Sequence, residues 1–279
     1  MKNKIYPCLW LDGQAEAAAQ LYCRLFGNSK IVAESNLVVQ IELEETKVML
    51  LNGGPVYKIN PSISLFVTCT TNEEIERLWH DLSDGGFAMM PLESYPWCEK
   101  YGWLADKFGM TWQLFLGDLA PGQQKIIPLM LFVGEQFGKA EEAMKSYASI
   151  FHNSGVIYSE YYTEGEGAPA GSLKFGRFNL GSDQLAAMDG PGEHAFLFDA
   201  GVSFVVECEN QEEIDFTWDK LTEGGSEVQC GWLTDRYGVS WQIIPRILGE
   251  LMSDPIKGER VMKELLKMKK LDIQRLLEA

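Results

Sequence analysis

Two glutamines are the polar side chains that this sequence sets twice in the same frame. Gln113 lies in Gly102-Trp-Leu-Ala-Asp-Lys-Phe-Gly-Met-Thr-Trp-Gln-Leu-Phe115, and Gln242 lies in its second copy, Gly231-Trp-Leu-Thr-Asp-Arg-Tyr-Gly-Val-Ser-Trp-Gln-Ile-Ile244. In each copy an Asp and a Gly mark a tight turn between aromatic and β-branched runs, which predicts a hairpin. Side chains alternate along the strand after the turn, so Thr111, Gln113 and Phe115 share one face while Trp112 and Leu114 share the other. An amide fixed on a sheet face can hydrogen-bond a ligand or the backbone around it. Trp112 and Trp241, facing away, are expected to pack under a helix. The more reactive side chains are scattered. His80 falls in a helical run, His152 at a helix end and His194 in a loop, and no Ser/His/Asp grouping or phosphate-binding loop appears. The six cysteines form no CxxC pair and sit in apolar segments, which predicts reduced, buried thiols.

The elements that hold these residues are themselves repeated. Tyr6 to Leu11 reads as a short apolar strand, and Ala15 to Phe26 as a helix with Ala18, Leu21, Tyr22, Leu25 and Phe26 on one face. Their copies are Ile127 to Val133 and Ala140 to Phe151, so that Tyr22 matches Tyr147 and Phe26 matches Phe151. Ser62 to Gly86 aligns without gaps on Gly201 to Gly225, each stretch a strand, a helix with an acidic first turn and a glycine stop. Trp79 and Trp218 match there and are expected to be buried alike. Each half thus reads strand, helix, three strands, written twice. The halves differ in one place. After its second glycine pair the first half carries a Pro-rich aromatic excursion over Pro91 to Lys100, expected to be a loop above a sheet mouth, where the second half has only Ser226 to Cys230. Beyond Ile247 the chain turns basic and amphipathic, as a terminal helix or helix pair docked on its own acidic domain would be, or else an anchor for a membrane or partner.

Composition narrows the function. A formal charge of −16 over 279 residues would repel phosphate backbones and anionic lipid, so neither nucleic acid nor membrane is an expected partner. No apolar run reaches the length of a spanning helix and no signal-peptide layout opens the chain, which together read as cytoplasmic.

The twice-written unit, the Asp-x-x-Gly-x-x-Trp-Gln hairpin, the Ala-Glu-x-Ala-x-x-x-Tyr-x-x-x-Phe helix and the closing Arg260 to Ile273 segment resemble the PhnB-like branch of the vicinal oxygen chelate (glyoxalase and bleomycin-resistance) superfamily, whose members are often labelled 3-demethylubiquinone 3-methyltransferase-like. The resemblance implies an α+β fold of paired βαβββ modules whose curved sheets form cups, in two tandem domains (1–120 and 121–250) that make an internal pseudo-dimer, followed by a helical tail (251–279); a further homo-oligomer is compatible with it. Superfamily enzymes hold a divalent metal on cup-facing strands. Gln113 and Gln242 match the last ligand position, but the others fall on Tyr6 or Cys8, Ile127 or Leu129, Ser62 and Ser64, and Gly201 and Ser203, with Asn52 and Asp189 at the fourth-strand ends. Amides and hydroxyls are a weak donor set for a divalent ion. No cofactor is therefore expected, and the glycine-rich turn of a nucleotide-binding sheet is missing for a methyl donor. The expected function is binding or sequestration of a small hydrophobic or heterocyclic molecule in a first-half cup built from Trp10, Ser64, Tyr95, Trp97 and Gln113, with Ser203 and Gln242 in a lesser second cup. The alternatives are a lyase, isomerase or dioxygenase with an atypical metal site, and a non-catalytic assembly protein with filled cups.

Overall fold

A computed structural model describes residues 4–279. One unit, a strand and a helix followed by three antiparallel strands, occurs four times. The first module contains β1 (Lys4–Leu11), α1 (Ala15–Leu25), β2 (Ser29–Glu34), β3 (Val38–Leu43) and β4 (Thr46–Asn52). The second contains β5 (Ile63–Cys69), α2 (Asn72–Ser83), β6 (Phe87–Tyr95), β7 (Cys98–Ala105) and β8 (Thr111–Leu116). In the third are β9 (Ile126–Phe132), α3 (Ala140–Ile150), β10 (Gly155–Tyr161), β11 (Leu173–Leu180) and β12 (Asp183–Asp189). The fourth has β13 (Val202–Cys208), α4 (Gln211–Thr222), β14 (Ser226–Glu227), β15 (Trp232–Thr234) and β16 (Ser240–Pro245).

The modules pair across the sequence halves. In every module the last strand runs parallel to the first, leaving one edge of the first strand free, and a free edge is a row of unpaired backbone groups that needs a partner. The edge of β1 is met by β13, with Cys8 opposite Ser203, and the edge of β5 by β9, with Ser64 opposite Leu129. Two eight-stranded mixed sheets result: β14-β15-β16-β13-β1-β4-β3-β2 from the first and fourth modules, and β10-β11-β12-β9-β5-β8-β7-β6 from the second and third. We call these the first and second sheets. The expectation that the first half encloses a cup of its own is corrected by this pairing, because each cup takes one module from either half. The fold is α+β with tandem βαβββ modules, and the two halves form an internal pseudo-dimer.

What holds each half together is the layer behind the sheets. The hairpin Asp repeated in the sequence is the centre of it. Asp106 accepts from the Tyr22 hydroxyl (2.7 Å), Trp112 Nε1 (2.9 Å) and the backbone N–H groups of Phe108 and Met110, so a helix of the first sheet is fastened to a turn of the second. Asp235 does the same with Tyr147 (2.6 Å), Trp241 (2.8 Å), Tyr237 and Val239. Burial pushes both carboxyls up from the usual carboxylate range despite these donors. Gly109 and Gly238 close the turns at φ +86° and +91°, where a side chain would be strained. Trp112 and Trp241 are wholly buried, stacked by Phe26 and Phe151 respectively.

Of three other expectations, two are corrected and the third, a helical tail docked on its own domain, is met. Trp218 is buried, but Trp79 is only half-buried, lying over Gly102. The Pro91–Lys100 excursion is not a loop but the irregular end of the β6–β7 hairpin, which pairs as far as Tyr95 and Cys98 through three register shifts. The basic tail forms α5 (Leu248–Ser253), α6 (Gly258–Leu265) and α7 (Ile273–Glu278) and docks on the acidic helix α4: Lys270 reaches Asp215 (3.3 Å) and Asp219 (3.0 Å), and Gln211 bonds the backbone of Leu271 and Ile273. Cys230 and Gly231, on the short counterpart of the β6–β7 hairpin, donate to Met268 and Lys269 of the tail. All six cysteines are free. No helix among the described residues is long and apolar enough to cross a membrane.

Candidate functional site

Strand alternation decides what each inner face displays. On the first sheet Tyr6, Cys8, Met49 and Val205 form the inner cluster, with Val38, Leu51 and Ile244 at its margin. Its charges are matched within the face: Glu207 accepts from the Tyr6 hydroxyl (2.7 Å) and pairs with Lys47 (2.5 Å), whose ammonium also sits 4.1 Å over the Tyr6 ring. Burial pushes the Cys8 thiol up to about 12, against hydrogen bonds with Gln242 and Ser203 that favour the thiolate. Gln242 donates to Ser203 (3.0 Å). Trp10 belongs here and not with Ser64 and Gln113, because β1 pairs with β13; its Nε1 donates to Gly54 O (2.7 Å), and its ring meets Tyr57 and Trp232 edge-on. From the tail side, Ile244 packs against the Val261, Met268, Leu271 and Leu276 cluster.

The inner face of the second sheet is larger and more aromatic. Phe66, Tyr101, Ile127, Leu129, Leu131 and Ala186 are buried in it, and Met90, Tyr95, Trp103, Phe115, Phe175 and Met188 line it half-buried. Ser64, Tyr95, Trp97 and Gln113 are the anticipated site residues brought to this sheet. Gln113 takes part in a neutral chain: it accepts from the Tyr101 hydroxyl (2.8 Å) and donates to Ser64 (3.3 Å), whose hydroxyl is hydrogen-bonded to that of Thr111 (2.8 Å). Burial pushes the Tyr101 hydroxyl up, so it remains a donor at neutral pH. Tyr95 and Trp97 stack on one another (4.9 Å) with Tyr101 at their edges, and Trp97 is exposed at the hairpin end.

Two further groups stand on this face, and the first of them escaped the sequence reading. Arg177 on β11 stands opposite Ala186, which stands beside Leu129, so its side chain leaves the strand on the inner face. It is 7% exposed, makes no ion pair among the described residues, and its Nη1 is buried without a partner. Desolvation pushes the guanidinium down, though not far enough to remove its charge. Trp103, opposite Gln113, likewise has a buried Nε1 with no acceptor. Aligning Val38 to Leu43 on Phe175 to Leu180 would have exposed the first: a charged Arg177 stands where the first module has the neutral Gln40.

The donor chemistry of a divalent metal is poorly met. Asn52 and Asp189, the fourth-strand candidates, face the helix layer. Asn52 Oδ1 accepts from Ala15 N at the start of α1, and Asp189 accepts from Gly138 N and Ala140 N at the start of α3, so both satisfy free N–H groups at a helix start. No cluster of three His, Cys, Asp or Glu side chains exists among the described residues. A shallow depression of about 300 Å³ lies apart from both inner faces, between Thr70, Asn72, Glu99 and Asp118, and its lining is mostly polar.

Two eight-stranded mixed sheets with helices behind them define a glyoxalase-like fold. Glyoxalase I from Zea mays shares the fold with a TM-score of 0.57 at 10% identity, over 86% of this chain and 92% of its own. The family described as 3-demethylubiquinone-9 3-methyltransferase matches residues 3–115 and again 124–244, and the chain belongs to that family as a tandem of two copies. A PhnB protein from Bacillus cereus is 36% identical over 41% of this chain and 99% of its own length, with a TM-score of 0.39. No curated protein matches the sequence.

Proposed function

We propose that this chain binds a small hydrophobic or heterocyclic molecule on the inner face of the second sheet and sequesters it without a metal ion. The observation that carries the reading is the half-buried aromatic wall of that face, Trp103, Phe115 and Phe175 around the neutral Gln113 chain, set against a first sheet whose inner charges are already matched. Small-molecule sites are mostly apolar with a few placed polar groups, which describes this face. The Tyr95–Trp97 stack at the hairpin end supplies an aromatic edge for a planar ring. Amide, hydroxyl and indole donors give no oxyanion pair or acid–base couple, so the same residues support holding a ligand better than transforming one.

Native mass spectrometry of the protein purified from cells tests this. A non-covalent organic adduct is expected, lost when Phe175→Ala opens the wall. Atomic emission should find no stoichiometric divalent ion, and a chelator should leave Tm unchanged, since an ion bound to the native state would stabilise it in proportion to its occupancy. A stoichiometric metal removed by Gln113→Ala would overturn the reading.

A further inference from the structure

A buried arginine without a carboxylate is an expensive thing for a sheet to carry. Charges are found inside proteins when they are paired, and an uncompensated one persists where a ligand supplies the missing partner. Arg177 has none. Its nearest acidic neighbour on the edge strand, Glu160, is taken by Lys174 (3.2 Å) and by the Tyr158 hydroxyl (3.0 Å). The residue is 7% exposed, leaves its strand on the face that carries the aromatic wall, and keeps Nη1 buried and unmatched. Across the same face, Trp103 Nε1 is a second buried donor with no acceptor. One comes from the third module and the other from the second, so both donors look into one cup from opposite walls. The homologous positions of the first sheet carry no such demand: Gln40 replaces the arginine, and Trp232, the counterpart of Trp103, is not a buried unmatched donor.

We infer that the ligand of the second sheet is an organic anion, an apolar or aromatic body bearing a carboxylate- or sulfonate-type group that Arg177 binds, with a second acceptor placed for the indole N–H of Trp103. The inference rests on the proposed binding function and adds to it the charge of the ligand. A planar guanidinium offers parallel N–H bonds to such a group. Arg177 lies in one row with Ala186, Leu129 and Ser64, three strand spacings or roughly 14 Å along the sheet, which leaves length for a ring system over Leu129 and Phe66 between the anion and the Gln113 chain.

The test uses two fluorescent probes that differ only by the sulfonate group, 8-anilino-1-naphthalenesulfonate and its neutral parent N-phenyl-1-naphthylamine, titrated against the full chain. The wild type should prefer the sulfonate. Arg177→Met should weaken the sulfonate by at least about tenfold, the worth of a charged hydrogen bond, while moving the neutral probe by less than about twofold. Arg177→Lys should fall between, keeping the charge but not the fork. Gln40→Met, the equivalent position of the first sheet, should change neither. Tm should be unchanged or raised in Arg177→Met, whereas a purely structural arginine would lower it. If Arg177→Met leaves the sulfonate affinity intact, or weakens both probes equally, the anion assignment is overturned. Phe175→Ala separates that failure from failure of the binding function: neutral-probe binding lost in Phe175→Ala keeps the cup as a site, and binding of neither probe to the wild type overturns both.

Discussion

The two inner faces descend from the same module, yet one is closed upon itself and the other is left open in its hydrogen bonding. On the first sheet Lys47, Glu207 and Tyr6 match each other, Trp10 Nε1 has Gly54 O, and the terminal helices pack against Ile244. On the second, a longer β6–β7 hairpin replaces the two-residue β14, aromatic rings stay half-exposed, and Arg177 and Trp103 keep unmatched donors. A protein seldom leaves buried donors idle, so the contrast is the ground for proposing the second sheet, and not the first, as the binding face.

The sharpest way to break this contrast is to remove a partner from each sheet. Glu207→Ala should cost about 3 kcal/mol in urea denaturation, since it strands the Lys47 ammonium and the Tyr6 hydroxyl in a largely buried setting. Arg177→Met should by contrast leave stability level or raise it by about 1 kcal/mol, because a desolvated charge disappears and no bond is lost with it. Equal losses in the two variants would show that Arg177 has a structural partner and that the faces do not differ in this way.

A smaller effect is expected at the hairpin end. Trp97→Ala should weaken binding of N-phenyl-1-naphthylamine by about 1 to 2 kcal/mol while changing stability by less than about 0.5 kcal/mol, as exposed aromatics at a site rim do. Unfolding without a change in affinity would make the Tyr95–Trp97 stack a structural clamp instead.

The smallest effect concerns thiol reactivity. Cys8, held up to about 12 by burial, should remain a thiol and escape iodoacetamide at pH 8 in the native protein. Cys98, half-buried at the β6–β7 turn and raised by burial as well, should be alkylated slowly but before Cys8, as peptide mass mapping would show. Modification of Cys8 first would mean that the first inner face opens more readily than the second.

Much of this architecture is legible in the residues. The Asp-x-x-Gly-x-x-Trp-Gln hairpin, the Tyr and Phe of the first helix, and the gapless match of Ser62–Gly86 with Gly201–Gly225 place every module, and alternation correctly turns Gln113 away from Trp112. What repetition hides is partnership. Four first strands with similar apolar patterns offer four equivalent edges, and nothing local tells β1 to take β13, so Trp10 is expected beside Gln113 and is found beside Trp232. The Pro91 to Lys100 stretch reads as a loop because proline and bulky aromatics interrupt alternation, which a strand tolerates at a sheet edge through bulges. Arg177 escaped notice because a single charge in a strand is ordinarily a solvated one; only the register puts it inside.

The pairing of β1 with β13 also sets an order of events during synthesis. Nearly two hundred residues separate Cys8 from Ser203, and at roughly 5 to 20 residues per second the ribosome needs roughly 10 to 40 s to deliver the second after the first. Throughout that interval the edge of β1 has no partner from its own chain, while β5 finds β9 much sooner. The second sheet, with its open face, is therefore assembled first, and the first sheet closes around the nascent chain only when the last module emerges. The face proposed to bind a ligand is thus formed while the first strand of the other sheet still lacks its partner.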